Sequence, residues 1–249
     1  MHQQRGCEWR VRVLGIDTSA QSGAVGMIEG TQVVFTEQIT IRPGGSEQLP
    51  ALLAETLART GRDIKELELI AVGIGPGSYT GVRVGLAIAK GLAFGLGVPL
   101  VGVPSLRALA LNGPADARLI CALARSRKGE VYAGLYRPGP EGLAEVVPPA
   151  IWTVPELTAA LQEKDEPVLF LGEVLAEDAA ELAAALKERA SFGHGAENVV
   201  DGARVARLGL AHWLATKENQ LDTVLPLYLR RTEAEVRWEE RCCRADVSS

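Results

Sequence analysis

Residues 73–99, GIGPGSYTGVRVGLAIAKGLAFGLGVP, constrain this chain more than any other stretch. The apolar run Leu69, Ile70, Ala71, Val72 leads into them, as a strand buried on both faces would. Gly75 and Gly77 supply backbone freedom on either side of Pro76, whose ring fixes φ. Ser78, Tyr79 and Thr80 follow, and a hydroxyl residue just ahead of an apolar periodic run signals a helix N-cap. A helix over about 82–96 would point its free N–H groups and positive dipole end into the loop, a geometry suited to anions. The glycines are not followed by the Lys-Ser or Lys-Thr of a P-loop, and their spacing is wrong for a dinucleotide fingerprint. A purely structural strand-to-helix turn accounts for the same residues. Both readings stand at this point.

The helix itself is unusual. Gly85, Ala89 and Ala93 recur every four residues and leave one face nearly bare, while only Arg83 and Lys90 carry charge. Glycine costs about 1 kcal/mol against alanine in a helix interior. Gly81, Gly85, Gly91 and Gly95 therefore require a compensating gain, such as close approach of another backbone along the i, i+4 ridge. The expectation is a helix buried on most of its surface, by its own sheet or by a second protein.

Upstream, a strand over 11–17 ends in Gly15-Ile16-Asp17-Thr18-Ser19, and strands over 23–28 and 32–41 complete an antiparallel meander. Asp17, Thr18 and Ser19 have the chemistry to hold a metal–phosphate pair, and equally to cap their own turn. Residues 46–60 form an amphipathic helix with Leu49, Leu52, Leu53 and Leu57 as its stripe. A further strand at 100–103 and a short helix from Ser105 to 111 complete an α/β unit with a mixed sheet flanked by helices.

Asn112-Gly113-Pro114 is a breaker cluster. It divides the chain into a first lobe, 1–111, a second, 112–231, and a charged tail, 232–249. In the second lobe, strands at 118–124 and 130–136 flank a basic turn, Arg125-Ser126-Arg127-Lys128-Gly129. Pro138, Pro140, Pro148 and Pro149 mark loops and edges rather than a core sheet. Helices are expected at 154–163, 176–190 and 201–216, a strand at 168–171, and an extended piece at 225–231.

Composition narrows the function. A net charge of −5 over 249 residues gives no basic excess for tight nucleic-acid binding by this chain alone. Its four cysteines form neither a disulfide framework nor a zinc pattern, and its three histidines are not spaced as metal ligands, so no metal site is expected. The N-terminus lacks a signal-peptide core, and Arg83, Lys90 and Pro99 interrupt the most apolar stretch before membrane-spanning length. A soluble cytoplasmic protein is expected.

Six segments occur in order: GIDTSA from Gly15, Ser46-Glu47, GIGPGSYTGVRVGLAIAKGLA from Gly73, GVPSL from Gly102, RKGEVY from Arg127 and PLYLRR from Pro226. Together they resemble the bacterial TsaB (YeaZ) family, a partner subunit in making threonylcarbamoyladenosine on tRNA. Gly45 stands where the family often has His, and Arg125-Ser126 where it commonly has Asp-Ala.

The resemblance implies an actin- and Hsp70-like (ASKHA) two-lobe fold and a non-catalytic subunit. It implies binding to the catalytic relative TsaD, action together with the ATPase TsaE, self-pairing when alone, and contact with tRNA only through the complex. No intrinsic cofactor is implied, ATP and Mg²⁺ being used by the assembled complex. Asp17, Ser78 and Thr80 would be a degenerate nucleotide site. The partner interface would draw on Leu49, Leu52, Leu53, Leu57, Val82, Gly85, Leu86, Ala89 and Ala93.

The principal alternative is an active ATPase of the same fold using Asp17 and the loop at 75–80. It would need a further acid and a second phosphate loop, and the second half offers no Asp-Gly-Gly-type segment. A metallopeptidase lacks ligands. A plain tRNA-binding protein has only Arg125, Arg127 and Lys128 to recommend it.

Overall fold

The computed structural model describes residues 10–40, 48–140 and 142–230. Strands β1 (Arg12–Asp17), β2 (Ser22–Glu29) and β3 (Gln32–Thr40) form the expected meander, turning through Gly30 at a φ of 59°. Helix α1 (Gln48–Thr60) follows. Then β4 (Leu69–Gly73), α2 (Tyr79–Leu96) and β5 (Leu100–Val103) add two strands parallel to β1, and α3 (Ser105–Ala110) closes the unit. The sheet order is β3-β2-β1-β4-β5.

Alternation along the strands sorts the core, because successive side chains leave opposite faces. Leu14, Ile16, Ile70 and Val72 face α1 and α2, meeting Leu49, Leu53, Leu57, Val82 and Leu86. Val13, Leu69, Ala71 and Val101 face the other way, into a second core.

The second half builds β6 (Leu119–Arg125), β7 (Glu130–Gly139), β8 (Gly142–Thr153), α4 (Val154–Lys164), β9 (Val168–Gly172), α5 (Ala176–Leu186), β10 (Ala190–Phe192) and α6 (Gly202–Thr216). Its sheet runs β10-β9-β6-β7-β8, which read from the other edge is the topology of the first sheet again. Leu119, Cys121 and Leu123 pack against Leu157, Leu161 and Leu182 on the outer face, while Ile120, Ala122 and Tyr136 join the central core. The chain is thus two mixed sheets with helices outside each and α3 and α6 between them.

Four expectations need adjustment. The helix expected from residue 46 is described from Gln48, and Ser46 with Glu47 lies outside the described residues, as does the tail at 232–249. The helix over 176–190 stops at Leu186: Lys187 takes a φ of 53°, and Ala190–Phe192 pairs in parallel with β9. Alanine and glutamate gave that stretch helical propensity, but completing the sheet edge won. Pro148 and Pro149 stand at a sheet edge as expected, but inside a strand of 12 residues, β8, rather than a loop; it pairs only with β7 and so leaves one N–H row free of ladder duty.

The fourth concerns the lobes. Helix α6 lies in the expected second lobe but packs on β1, β2, β4 and β5 of the first sheet. The approach is backbone to backbone. A Cβ on Gly15 would stand 2.0 Å from the Gly202 carbonyl oxygen, and one on Gly26 would stand 2.2 Å from the Ala203 nitrogen. The segment after α6 stays there, with Asn219 and Gln220 side chains accepting hydrogen bonds from Leu100 N at 3.1 Å and Gly102 N at 2.9 Å. These bonds engage edge strand β5. Residues 112–231 are therefore not one packing unit. No helix among the described residues is long and apolar enough to cross a membrane.

Candidate functional site

The glycine loop is held against the exit of β1. Gly75 has a φ of 91°, the Gly75–Pro76 bond is cis, and a Cβ on Gly77 would meet the Ser19 carbonyl oxygen at 2.1 Å. Ser78 caps α2 by accepting from Gly81 N at 3.2 Å, and its own N–H donates to the Ser19 carbonyl at 2.7 Å.

Asp17 is only 1% exposed. Its Oδ1 accepts from Ser19 N at 2.8 Å and Ser19 Oγ at 2.7 Å, and its Oδ2 accepts from Ser105 Oγ at 2.6 Å. Burial pushes its carboxyl above the usual aspartate range, against the pull of the Ser105 and Ser19 hydrogen bonds. A Cβ on Gly73 would stand 1.8 Å from Oδ2, so the strand beside it also seals it in. This carboxylate closes a turn. Enclosed in that way, it is a poor fit for a Mg²⁺–nucleotide.

Between the sheets lies a cleft of about 720 Å³. Its apolar floor comes from Leu106 and Leu109 of α3 and from Val200. The loop from Pro76 to Tyr79 forms one wall, and Arg125, Ser126 and Arg127 of the β6–β7 turn form another. The strap that follows α6 crosses the mouth. Leu227 N donates to the Ile74 carbonyl at 2.8 Å, Tyr228 stacks on Tyr79 with ring centroids 5.1 Å apart, and Arg230 pairs with Glu130 of β7. Arg83 completes the cluster, donating to the Tyr79 hydroxyl at 2.6 Å.

Of the nucleotide-site candidates, Ser78 lines this cleft, whereas Asp17 and Thr80 do not. Among the described residues, no group of three or more His, Cys, Asp or Glu stands where it could hold a metal ion. The basic turn does reach the cleft through Arg125 and Arg127. Tyr79, Tyr228 and Arg230 were not anticipated; the PLYLRR segment marked the strap, but nothing local tells a strap where it will return.

The expected partner surface is corrected. Leu49, Leu53, Leu57, Val82, Gly85, Leu86, Ala89 and Ala93 are all buried in the first-lobe core, and Leu52 is half-buried beside them. At Gly81 and Gly85 the offsetting gain is intramolecular, whereas a Cβ on Gly91 or Gly95 would meet nothing within 4 Å. A Cβ on Gly81 would meet the Thr18 carbonyl oxygen at 2.1 Å and one on Gly85 the Thr18 Oγ1 at 2.2 Å, and that hydroxyl donates to Gly81 O at 2.7 Å. The face of α2 turned to solvent carries Arg83, Ala87, Gly91 and Phe94, the last 80% exposed.

Two sheets of one repeated topology, helices on their faces and a cleft between them define the ASKHA class. A family model described as "TsaD: tRNA N6-adenosine threonylcarbamoyltransferase" matches residues 44–238. The Bacillus subtilis tRNA threonylcarbamoyladenosine biosynthesis protein TsaB is 34% identical over 232 residues, spanning 92% of this chain and 98% of that one. The Escherichia coli TsaB is 32% identical over 135 residues, 53% of this chain and 58% of its own. A Pseudomonas aeruginosa crystal structure, described as having similarity to peptidase YeaZ, superposes with a TM-score of 0.74 at 21% identity, over 88% of this chain and all of that one. The chain belongs to this family, and within it to the TsaB (YeaZ) proteins.

Proposed function

We propose that this protein is a non-catalytic subunit in the formation of threonylcarbamoyladenosine on tRNA, and that it acts by binding a larger transferase of its own fold, TsaD, and enabling the action of TsaE. The observation that carries the reading is kinship with the Bacillus protein over nearly the full length of both chains. Two features support it. Asp17 has its carboxylate oxygens engaged by Ser19 and Ser105, which disfavours the alternative of an ATPase built on that residue. The outer face of α2 presents Phe94 to solvent beside small residues, a surface against which a second helix can pack closely. The docking face is therefore the outward surface of α2, not its Gly85–Ala89–Ala93 ridge.

The test is reconstitution of the modification from TsaD, TsaE, tRNA, ATP, threonine and bicarbonate, with and without this chain, scored by mass spectrometry. Loss of threonylcarbamoyladenosine on omission is the expected result; undiminished modification overturns the proposal. Steady ATP turnover by the pure protein that disappears in Asp17→Ala would favour the ATPase instead.

A further inference from the structure

The joint between α3 and the segment entering α6 hangs on one side chain that the proposed function leaves unused. Asn112, half-buried just beyond α3, donates through Nδ2 to the Val199 carbonyl at 2.7 Å and the Glu197 carbonyl at 3.0 Å, with Ala196 O at 3.5 Å. Beside it, the Arg204 guanidinium of α6 donates to the Leu111 carbonyl. Gly113 follows, and a Cβ there would stand 2.5 Å from Ile120 Cδ1, so packing excludes a side chain. The result is an Asn-Gly pair, whereas Asn198 precedes Val199 and Asn219 precedes Gln220. An asparagine amide followed by glycine is open to attack by the next backbone nitrogen, because glycine carries no side chain to obstruct it.

We propose that Asn112 is a self-modification site, kept silent while the joint is closed and spent when it opens. The Gly113 nitrogen gives its proton to hydroxide and bonds to Asn112 Cγ. The Cγ–Nδ2 bond breaks, and Nδ2 takes a proton from water and leaves as ammonia. Water then opens the cyclic imide at either carbonyl, giving aspartate or isoaspartate. The closed joint opposes the first step twice over. The Gly113 N–H is held by the Ala110 carbonyl at 3.1 Å, and the Asn112 amide is anchored on Val199 and Glu197. The product no longer fits the joint. A carboxylate only accepts, so it would face the Val199 and Glu197 carbonyl oxygens with no hydrogen to share. Isoaspartate also adds a methylene to the backbone where Gly113 bonds to Ala110. Each opening that ends in reaction is therefore recorded irreversibly.

The test incubates the full chain at mildly alkaline pH, native and in urea, and follows the peptide holding residue 112 by mass spectrometry. Chromatography separates isoaspartate from aspartate. The urea sample should accumulate both acids, and the native sample should lag it by more than about tenfold, as protection by a closed joint implies. Gly113→Ala in urea should slow the reaction, because its methyl group hinders the attacking nitrogen. Asn112→Asp should lower the thermal midpoint of the native chain by about 4 °C or more. If that variant does not fold, chain aged in urea and then diluted gives the second reading: the acid forms should be depleted from the refolded soluble fraction relative to the amide. Equal rates in native and urea samples, or no slowing by Gly113→Ala, would overturn the proposal. So would an unchanged midpoint in Asn112→Asp, or recovery of acid and amide forms in equal proportion.

Discussion

Ser105 Oγ donates to Asp17 Oδ2 at 2.6 Å and accepts from Gly75 N at 3.0 Å, so one hydroxyl joins the end of β1 to the glycine loop. Ser105→Ala removes both bonds at a buried position and leaves the carboxylate short of a partner. Urea unfolding should show a loss of about 1–3 kcal/mol.

The same carboxylate sets a pH dependence. Burial raises the Asp17 pKa in the folded chain above that of the unfolded chain. The folded state then binds the proton more tightly, so the Asp17 contribution to stability falls as pH rises from the ordinary aspartate value through the raised one. Asp17→Asn keeps a hydrogen-bonding side chain without the charge and should flatten that slope. Urea midpoints taken from pH 4 upward would test this, and an unchanged slope in the variant would count against it.

Gly85 and Gly91 lie on the same helix with opposite expectations. A Cβ at Gly91 meets nothing within 4 Å, so Gly91→Ala should stabilise the isolated protein by about 1 kcal/mol through helix propensity. At Gly85 a Cβ would meet Thr18 Oγ1 at 2.2 Å, so Gly85→Ala should destabilise by about 1–3 kcal/mol through overpacking. Thermal unfolding of the two variants should shift in opposite directions.

Phe94→Asp places a charge on the outer face of α2 without touching the core. Its unfolding midpoint should stay within the small range typical of surface changes, about 0.5 kcal/mol. Co-elution with TsaD in gel filtration should be lost. Retention of the complex would remove α2 as the docking face.

Tyr228→Ala deletes the stack on Tyr79 at the cleft mouth. About 0.5–1.5 kcal/mol of stability should go with it, beyond the buried area. Hydrogen exchange should quicken at Leu227, whose N–H bonds the strap to the Ile74 carbonyl. Unaltered exchange there would show that the strap is held by Arg230 and its hydrogen bonds alone.

The sheets were legible wherever pattern was local. β1 to β5 announced themselves by apolar runs and turn residues, and the compensation demanded by the glycines of α2 was real at Gly81 and Gly85. Which surface supplied it was not legible, because a bare helical face reads alike whether Thr18 of its own chain or a partner fills it. β10 was hidden because three residues of sheet edge carry no period, and β8 because its prolines mask an edge strand. The cleft was the least readable part. Tyr79 and Tyr228 belong to distant segments, and what joins them is the return of the chain after α6. Asp17 looked like a ligand for the same reason that it is a turn-closing group: a carboxylate beside two hydroxyls suits both, and only Ser105, brought in by α3, decides.

That return has a consequence for synthesis. The face of the first sheet that carries Val13, Leu69 and Ala71 is covered by α6, which the ribosome makes roughly a hundred residues after β5. At about 5–20 residues per second the nascent sheet waits several seconds with that face uncovered. Gly15 and Gly26 leave the spot smooth, with no side chains to interlock. A growing chain stalled before residue 202 should therefore be a strong client for holdase chaperones, although every strand of its first sheet is already made.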